Sequence, residues 1–119
     1  GKVVRVADEQ MDAVTATSGS GPAYVFRFAE AMIDAAVMLG LSRAQARLLA
    51  AETLAGASEM MSQTGSEPAL LRHEVTSPGG TTAAALYELE KGALSGIVIQ
   101  AMEAAAKRSS QLGALTEKP

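Results

Sequence analysis

Six consecutive residues, Ser77-Pro78-Gly79-Gly80-Thr81-Thr82, run directly into Ala83-Ala84-Ala85-Leu86, a helix-forming run. A proline and two glycines ahead of such a run predict a tight loop that turns into a helix N-terminus. The first N–H groups of a helix have no intrahelical acceptor, and the helix dipole places partial positive charge on them. Two residues without side chains would let a ligand approach those groups closely, and two threonine hydroxyls stand beside them. Such a loop can hold a small anion, most simply a carboxylate. It is not a phosphate-binding P-loop, because the GxxxxGK[ST] spacing is absent and no lysine follows the glycines. By spacing alone, a plain turn and cap is the commoner explanation of the same residues, because Gly/Pro loops before helices are frequent.

Other chemistry-bearing residues have weaker claims. His73 is the single histidine and sits between Arg72 and Glu74, a setting that reads as a solvated surface residue. The stretch Ser18-Gly19-Ser20-Gly21-Pro22 can be a helix cap or a contact to a ligand, and its residue types fit both. Met60 and Met61 read as core or interface filler. Glu88, Glu90 and Lys91 read as a solvated helix face.

Composition narrows the classes. The chain has 119 residues, 48% hydrophobic but only 3% aromatic, so alanine, leucine, methionine and valine supply the apolar mass. That favours closely packed helices in one domain. A net charge of −3 with both signs interspersed gives no basic stripe for nucleic acid and no basic amphipathic helix for a membrane surface. No apolar run approaches the ~18 residues of a membrane span. The chain has no cysteine, so a disulfide framework and a thiolate metal site are both excluded, and one histidine cannot anchor a metal cluster. No metal is expected, and a cytoplasmic location is the default.

The elements that must position the loop follow from periodicity. Lys2 to Val6 reads as a short strand without a hairpin partner. Asp8 is an N-cap for a helix from Glu9 to about Ala16. Residues 15–22 break the chain. A helix then runs from about Pro22 to Leu39, with Val25, Phe28, Ala29, Met32, Ala36 and Leu39 on one stripe and Gly40 after its end. Ser42-Arg43-Ala44-Gln45 is a capping box opening a helix to about Thr64, stopped by Gly65, with Leu49, Thr53, Ala57, Met60 and Met61 on its buried side. These two helices would each span roughly 30 Å and pair antiparallel across the short connection. A short helix capped by Ser66, with Pro68 just inside, reaches Leu71 and Arg72. Further helices cover Gly80 to Lys91 and Leu94 to Leu112, ended by Gly92 and Gly113. Leu94, Ile97, Val98 and Ile99 cover adjacent faces, which calls for a second subunit. Residues 114–119 read as a frayed, disordered tail. The expected fold class is therefore all-α: a bundle of two long antiparallel helices plus shorter ones, intertwined as a homodimer, with a short N-terminal strand.

Two loop sequences together are more specific. Asp12-Ala13-Val14-Thr15 with Ser18-Gly19-Ser20-Gly21-Pro22-Ala23-Tyr24, and then Val75-Thr76-Ser77-Pro78-Gly79-Gly80-Thr81-Thr82, resemble the C-terminal domain of the pyrroline-5-carboxylate reductase family. The resemblance extends from about Gly1 to Gly113 without gaps. Thr17 departs from the apolar residue more often found there. Gly65 stands where some members carry an acid, so no acidic substrate contact is assigned to Glu67.

The resemblance implies reduction of 1-pyrroline-5-carboxylate to proline with NADPH or NADH, the last step of proline biosynthesis. It implies a cofactor-binding Rossmann domain ahead of this chain, with residues 1–7 its remnant, and a helical dimerisation and substrate-binding domain over 8–113. This chain has no G-x-G-x-x-G after a strand, so alone it is expected to be inactive. The implied roles are carboxylate binding by the amides around Gly79, Gly80, Thr81 and Thr82 with help from Ser77, an apolar wall from Val75, and a hydrogen bond from Thr82 to the imine nitrogen. Thr15 is implied to lie near the site. A homodimer is implied, with larger assemblies left open. Two other readings are a purely structural oligomerisation module and a related hydroxy-acid dehydrogenase. The latter would want a catalytic lysine near the loop, and the nearest downstream, Lys91, lies at the far end of its helix.

Overall fold

Alanine-rich runs without cysteine or long β-branched stretches form helices throughout. The structure is a computed structural model that describes residues 1–117. The helices are α1 (Met11–Val14), α2 (Gly21–Met38), α3 (Arg43–Thr64), α4 (Pro68–Glu74), α5 (Thr81–Lys91) and α6 (Leu94–Glu117). A 3₁₀ turn, Asp8–Gln10, precedes α1, and a π-helical segment, Thr15–Gly19, follows it. The chain divides into two units, one made of residues 1–25 and the segment from 93 onward, the other of residues 26–92.

In the first unit, α6 packs on α1 and on the π segment. Small residues permit the close approach: Ala16 is buried, and Met102, Ala105, Ala106 and Ser109 form a half-buried stripe at helical spacing along α6. Ser109 donates to Asp12 Oδ1 at 2.7 Å, tying α6 to α1. Several expectations are corrected here. Residues 2–6 form no strand, because they have no neighbouring strand to bond to. The first helical turn is capped at Ala7 rather than Asp8, since the Ala7 amide donates to Gln10 Oε1 at 2.9 Å.

The expected break over residues 15–22 is instead a widened helix over Thr15–Gly19, with a bend at Ser20 before α2 begins at Gly21. The Ser20 amide reaches back five residues to the Thr15 carbonyl at 2.8 Å. The hydroxyls of Thr15, Thr17 and Ser18 donate to the carbonyls of Met11, Ala13 and Val14. The Tyr24 hydroxyl donates to the Ala16 carbonyl at 2.8 Å. Hydroxyl residues, ordinarily helix breakers, therefore satisfy the backbone of a π turn here. At the other end, α6 passes through Gly113 to Glu117, with the Thr116 hydroxyl donating to the Gly113 carbonyl. The expected tail is thus helical over residues 114–117, and residues 118–119 lie outside the described residues.

In the second unit, the sequence signals for caps hold. Gly40 has φ 111°, the Leu41 amide bonds the Ala36 carbonyl, and the Gly40 amide bonds the Val37 carbonyl, which is a Schellman close to α2. Ser42 and Gln45 exchange hydrogen bonds of 3.1 and 3.0 Å, completing the capping box of α3. Gly65 ends α3 in the left-handed region. The N-cap of α4 is Glu67, one residue later than expected, because Pro68 takes the first helical position.

Packing in this unit is thin. Its buried residues are Ala46 and Ala50 of α3. No two of its helices pack extensively, so the expected antiparallel pairing of α2 and α3 is confined to the neighbourhood of the turn. There Arg43 and Asp34 form an exposed ion pair of 3.5 Å, worth about 0–1 kcal/mol. Ala29, Met32 and Ala36 of the α2 stripe are half-buried, but Phe28 and Leu39 are exposed. On α3 the expected buried side, Leu49, Thr53, Ala57, Met60 and Met61, is exposed as well. These stripes are apolar in sequence, but the described residues cover them only in part. The same holds in the first unit for Ile97, Val98 and Ile99.

No helix among the described residues is long and apolar enough to cross a membrane.

Candidate anion site at the start of α5

The loop between α4 and α5 is built by two separate requirements for glycine. The Gly80 amide donates to the Ser77 carbonyl at 3.1 Å, closing a four-residue turn. Pro78 occupies its second position, and Gly79, with φ 68°, its third. This is the type II pattern, in which proline sets one φ angle and glycine supplies the positive one. Space around Gly79 is open, so the angle alone demands glycine there. Gly80 is different. A Cβ at residue 80 would collide with the Ser77 hydroxyl and lie 3.2 Å from the Ser77 carbonyl.

Gly80 is the N-cap of α5, in extended conformation (φ −85°, ψ −177°), and it offers no capping side chain. The Ala84 amide makes the first bond back, to the Gly80 carbonyl at 3.2 Å. The amides of Thr81, Thr82 and Ala83 therefore precede the first bonded turn, and no side chain of the described residues caps them. The first turn of α5 carries no acid that would compete for them. Thr82 is half-buried, while Ser77, Gly79 and Thr81 are exposed. Together these amides form a donor set with partial positive charge and no formal charge, of the kind that can hold a small oxyanion or carboxylate.

Val75 is 69% exposed and sits at the C-cap of α4. It forms one end of an open, apolar groove of about 260 Å³, whose other walls are Ala57, Met60, Met61, Pro68, Leu71 and Arg72. Thr76 follows, with its hydroxyl on the Arg72 carbonyl at 2.6 Å. The site residues expected from sequence, Val75, Ser77, Gly79, Gly80, Thr81 and Thr82, thus form one continuous turn and helix start. Thr15 belongs to the other unit, within the π segment, and its hydroxyl is engaged by the Met11 carbonyl. His73 is exposed, in the last turn of α4. Among the described residues, no cluster of His, Cys, Asp or Glu could hold a metal ion. Sequence reasoning missed Thr76; the available signal was a threonine four residues after Arg72, just beyond the helix.

Residues 8–112 match the family described as pyrroline-5-carboxylate reductase dimerisation. The chain belongs to this family. It is 49% identical over 112 residues to the pyrroline-5-carboxylate reductase of Arabidopsis thaliana, covering 94% of this chain and 41% of that protein. It is 51% identical over 113 residues to the enzyme of the same name from Corynebacterium melassecola, covering 95% and 42% respectively. Among solved structures, Plasmodium falciparum pyrroline carboxylate reductase with NADP bound superimposes with a TM-score of 0.89 at 41% identity, covering 95% of this chain and 45% of that one. The chain therefore spans about four-tenths of the length of the curated relatives it matches. Membership in the pyrroline-5-carboxylate reductase dimerisation family covers α1 to α6 nearly throughout, and it takes in both loop motifs.

Proposed function

We propose that this chain is the dimerising and substrate-holding part of an enzyme that reduces 1-pyrroline-5-carboxylate to L-proline, the last step of proline biosynthesis. The observation that carries the reading is the set of uncapped amides at the start of α5, behind a closed Pro-Gly turn, in a chain of this family. The substrate carboxylate accepts hydrogen bonds from the amides of Thr81 and Thr82, with Ser77 and Gly79 alongside; the Gly80 amide, expected from sequence to join them, is instead spent on the Ser77 carbonyl and closes the turn. Charge-assisted bonds of this kind contribute about 1.5–3 kcal/mol each. Val75 lies against the apolar face of the ring.

The Thr82 hydroxyl donates to the imine nitrogen and orients it. Reduction adds a hydride to the imine carbon and a proton to the nitrogen. NADPH or NADH, held by a part of the enzyme outside this chain, supplies the hydride. A threonine hydroxyl is a weak acid, so Thr82 holds and relays a proton that comes ultimately from water. The exposed apolar residues of α2, α3 and α6 are buried by a second copy, making a homodimer as the smallest assembly. The enzyme works in the cytoplasm.

Replacing Thr82 by alanine in the full-length enzyme tests the assignment. Steady-state kinetics should show a fall in kcat larger than the rise in KM, because the imine nitrogen changes its charge only during reaction. An unchanged kcat would remove Thr82 from the chemistry.

A further inference from the structure

We infer that Thr76, which touches none of the reacting atoms, is a positioning residue that clamps the carboxylate-holding turn to the end of α4. The inference rests on the functional reading given above. Helix α4 ends at Glu74, and the Val75 amide makes a long bond of 3.3 Å to the Arg72 carbonyl. The Thr76 amide bonds the His73 carbonyl at 3.1 Å, and its hydroxyl donates to the Arg72 carbonyl at 2.6 Å. Thr76 is half-buried, although the turn it precedes is largely exposed. From Ser77 to Gly80 the turn is closed on itself, and from Gly80 onward it is part of α5. The joint between α4 and this rigid piece is therefore residues 75 and 76. Among the described residues, the Thr76 hydroxyl makes the only side-chain hydrogen bond of residues 75–82.

Loss of that bond leaves the turn intact but frees its direction relative to α4. Only the fraction of molecules with the turn correctly aimed then holds a carboxylate, and apparent affinity falls by that fraction. The carboxylate carries the same charge in substrate and transition state. Weakening its receptor is a loss of uniform binding, which raises KM and spares kcat.

The test compares Thr76→Val, which keeps the shape and removes the hydroxyl, with Thr76→Ser, which keeps the hydroxyl, in the full-length enzyme. Thr76→Val should raise KM for pyrroline-5-carboxylate by about fivefold, the factor that one ordinary hydrogen bond is worth. Its kcat should stay within about twofold, and L-proline should bind more weakly by the same factor as the KM change. Thr76→Ser should restore both values. A Thr76→Val enzyme with lowered thermal stability but wild-type KM and proline affinity would overturn the inference, and so would a serine variant that behaves like valine. Should the valine variant fail to fold, Thr76→Ala is read by the same criteria. A wild-type enzyme without imine reductase activity would remove the functional reading and this inference together, an outcome distinct from an active wild type whose variants keep their KM.

Discussion

The Ser77 hydroxyl occupies the space that a Cβ on residue 80 would need. The two residues are therefore coupled, and the coupling is measurable. Gly80→Ala should destabilise the fold by about 1–3 kcal/mol, the usual range for overpacking. Removing the obstructing hydroxyl as well, in Ser77→Ala/Gly80→Ala, should recover part of the loss, with an interaction of at least about 0.5 kcal/mol in denaturant unfolding. Recovery stays partial because the Ser77 carbonyl remains 3.2 Å from the added atom. Strict additivity of the two single changes would refute the coupling.

Tyr24 closes the π turn by donating to the carbonyl of buried Ala16. Tyr24→Phe leaves that carbonyl without its partner and should cost about 1–3 kcal/mol. Tyr87 is 67% exposed, so Tyr87→Phe serves as the control. Its effect should stay within about 0.5 kcal/mol. Equal unfolding midpoints for the two variants would show that the Tyr24 hydroxyl does not hold the turn.

Ala93 is the one residue other than glycine with a positive φ among the described residues, at 62°. The left-handed region costs a residue with a Cβ roughly 1–2 kcal/mol. A glycine loses about 0.4–1 kcal/mol more than alanine in unfolded-state entropy. Ala93→Gly should therefore be neutral to stabilising by up to about 1 kcal/mol. Ala93→Val, with a branched Cβ at the same angle, should be clearly destabilised. Calorimetry that ranks the glycine variant well below wild type would contradict the strain at this position.

Among the described residues few large side chains are covered, so stability should depend on association. The midpoint of thermal unfolding should rise with protein concentration, as expected when the folded state is dimeric. Ile97→Asp, which places a charge on an exposed apolar face of α6, should shift sedimentation toward monomer and lower that midpoint. A wild-type monomer that sediments alone and unfolds at a concentration-independent temperature would rule out the proposed dimer.

What could be read from residues alone was mostly backbone punctuation. The Ser42-Gln45 box, the glycines at 40 and 65, and the Pro78-Gly79 turn each carry a local steric or hydrogen-bonding reason, and each holds in the structure. Periodicity was less informative. It marked Leu49, Ala57 and Met60 as one face of α3, but a stripe says which side wants cover and not which chain supplies it. The π segment was hidden because hydroxyl and glycine residues are ordinarily breakers. Only the three-dimensional return of Tyr24 onto Ala16 shows them kept in a helix. Gly113 misled for a similar reason: a glycine within a long helix costs about 1 kcal/mol relative to alanine, which α6 absorbs. The turn and helix start that carry the candidate site were the most legible part, since they come from one unbroken stretch of chain.

The donor set at the mouth of α5 is made of backbone amides and contains no ammonium, guanidinium or imidazole. Such groups have no proton to release in ordinary buffers. Its grip on an acid group should hold constant from mildly acidic to alkaline solution, so any pH profile of the reaction must originate in the imine or in groups outside this turn.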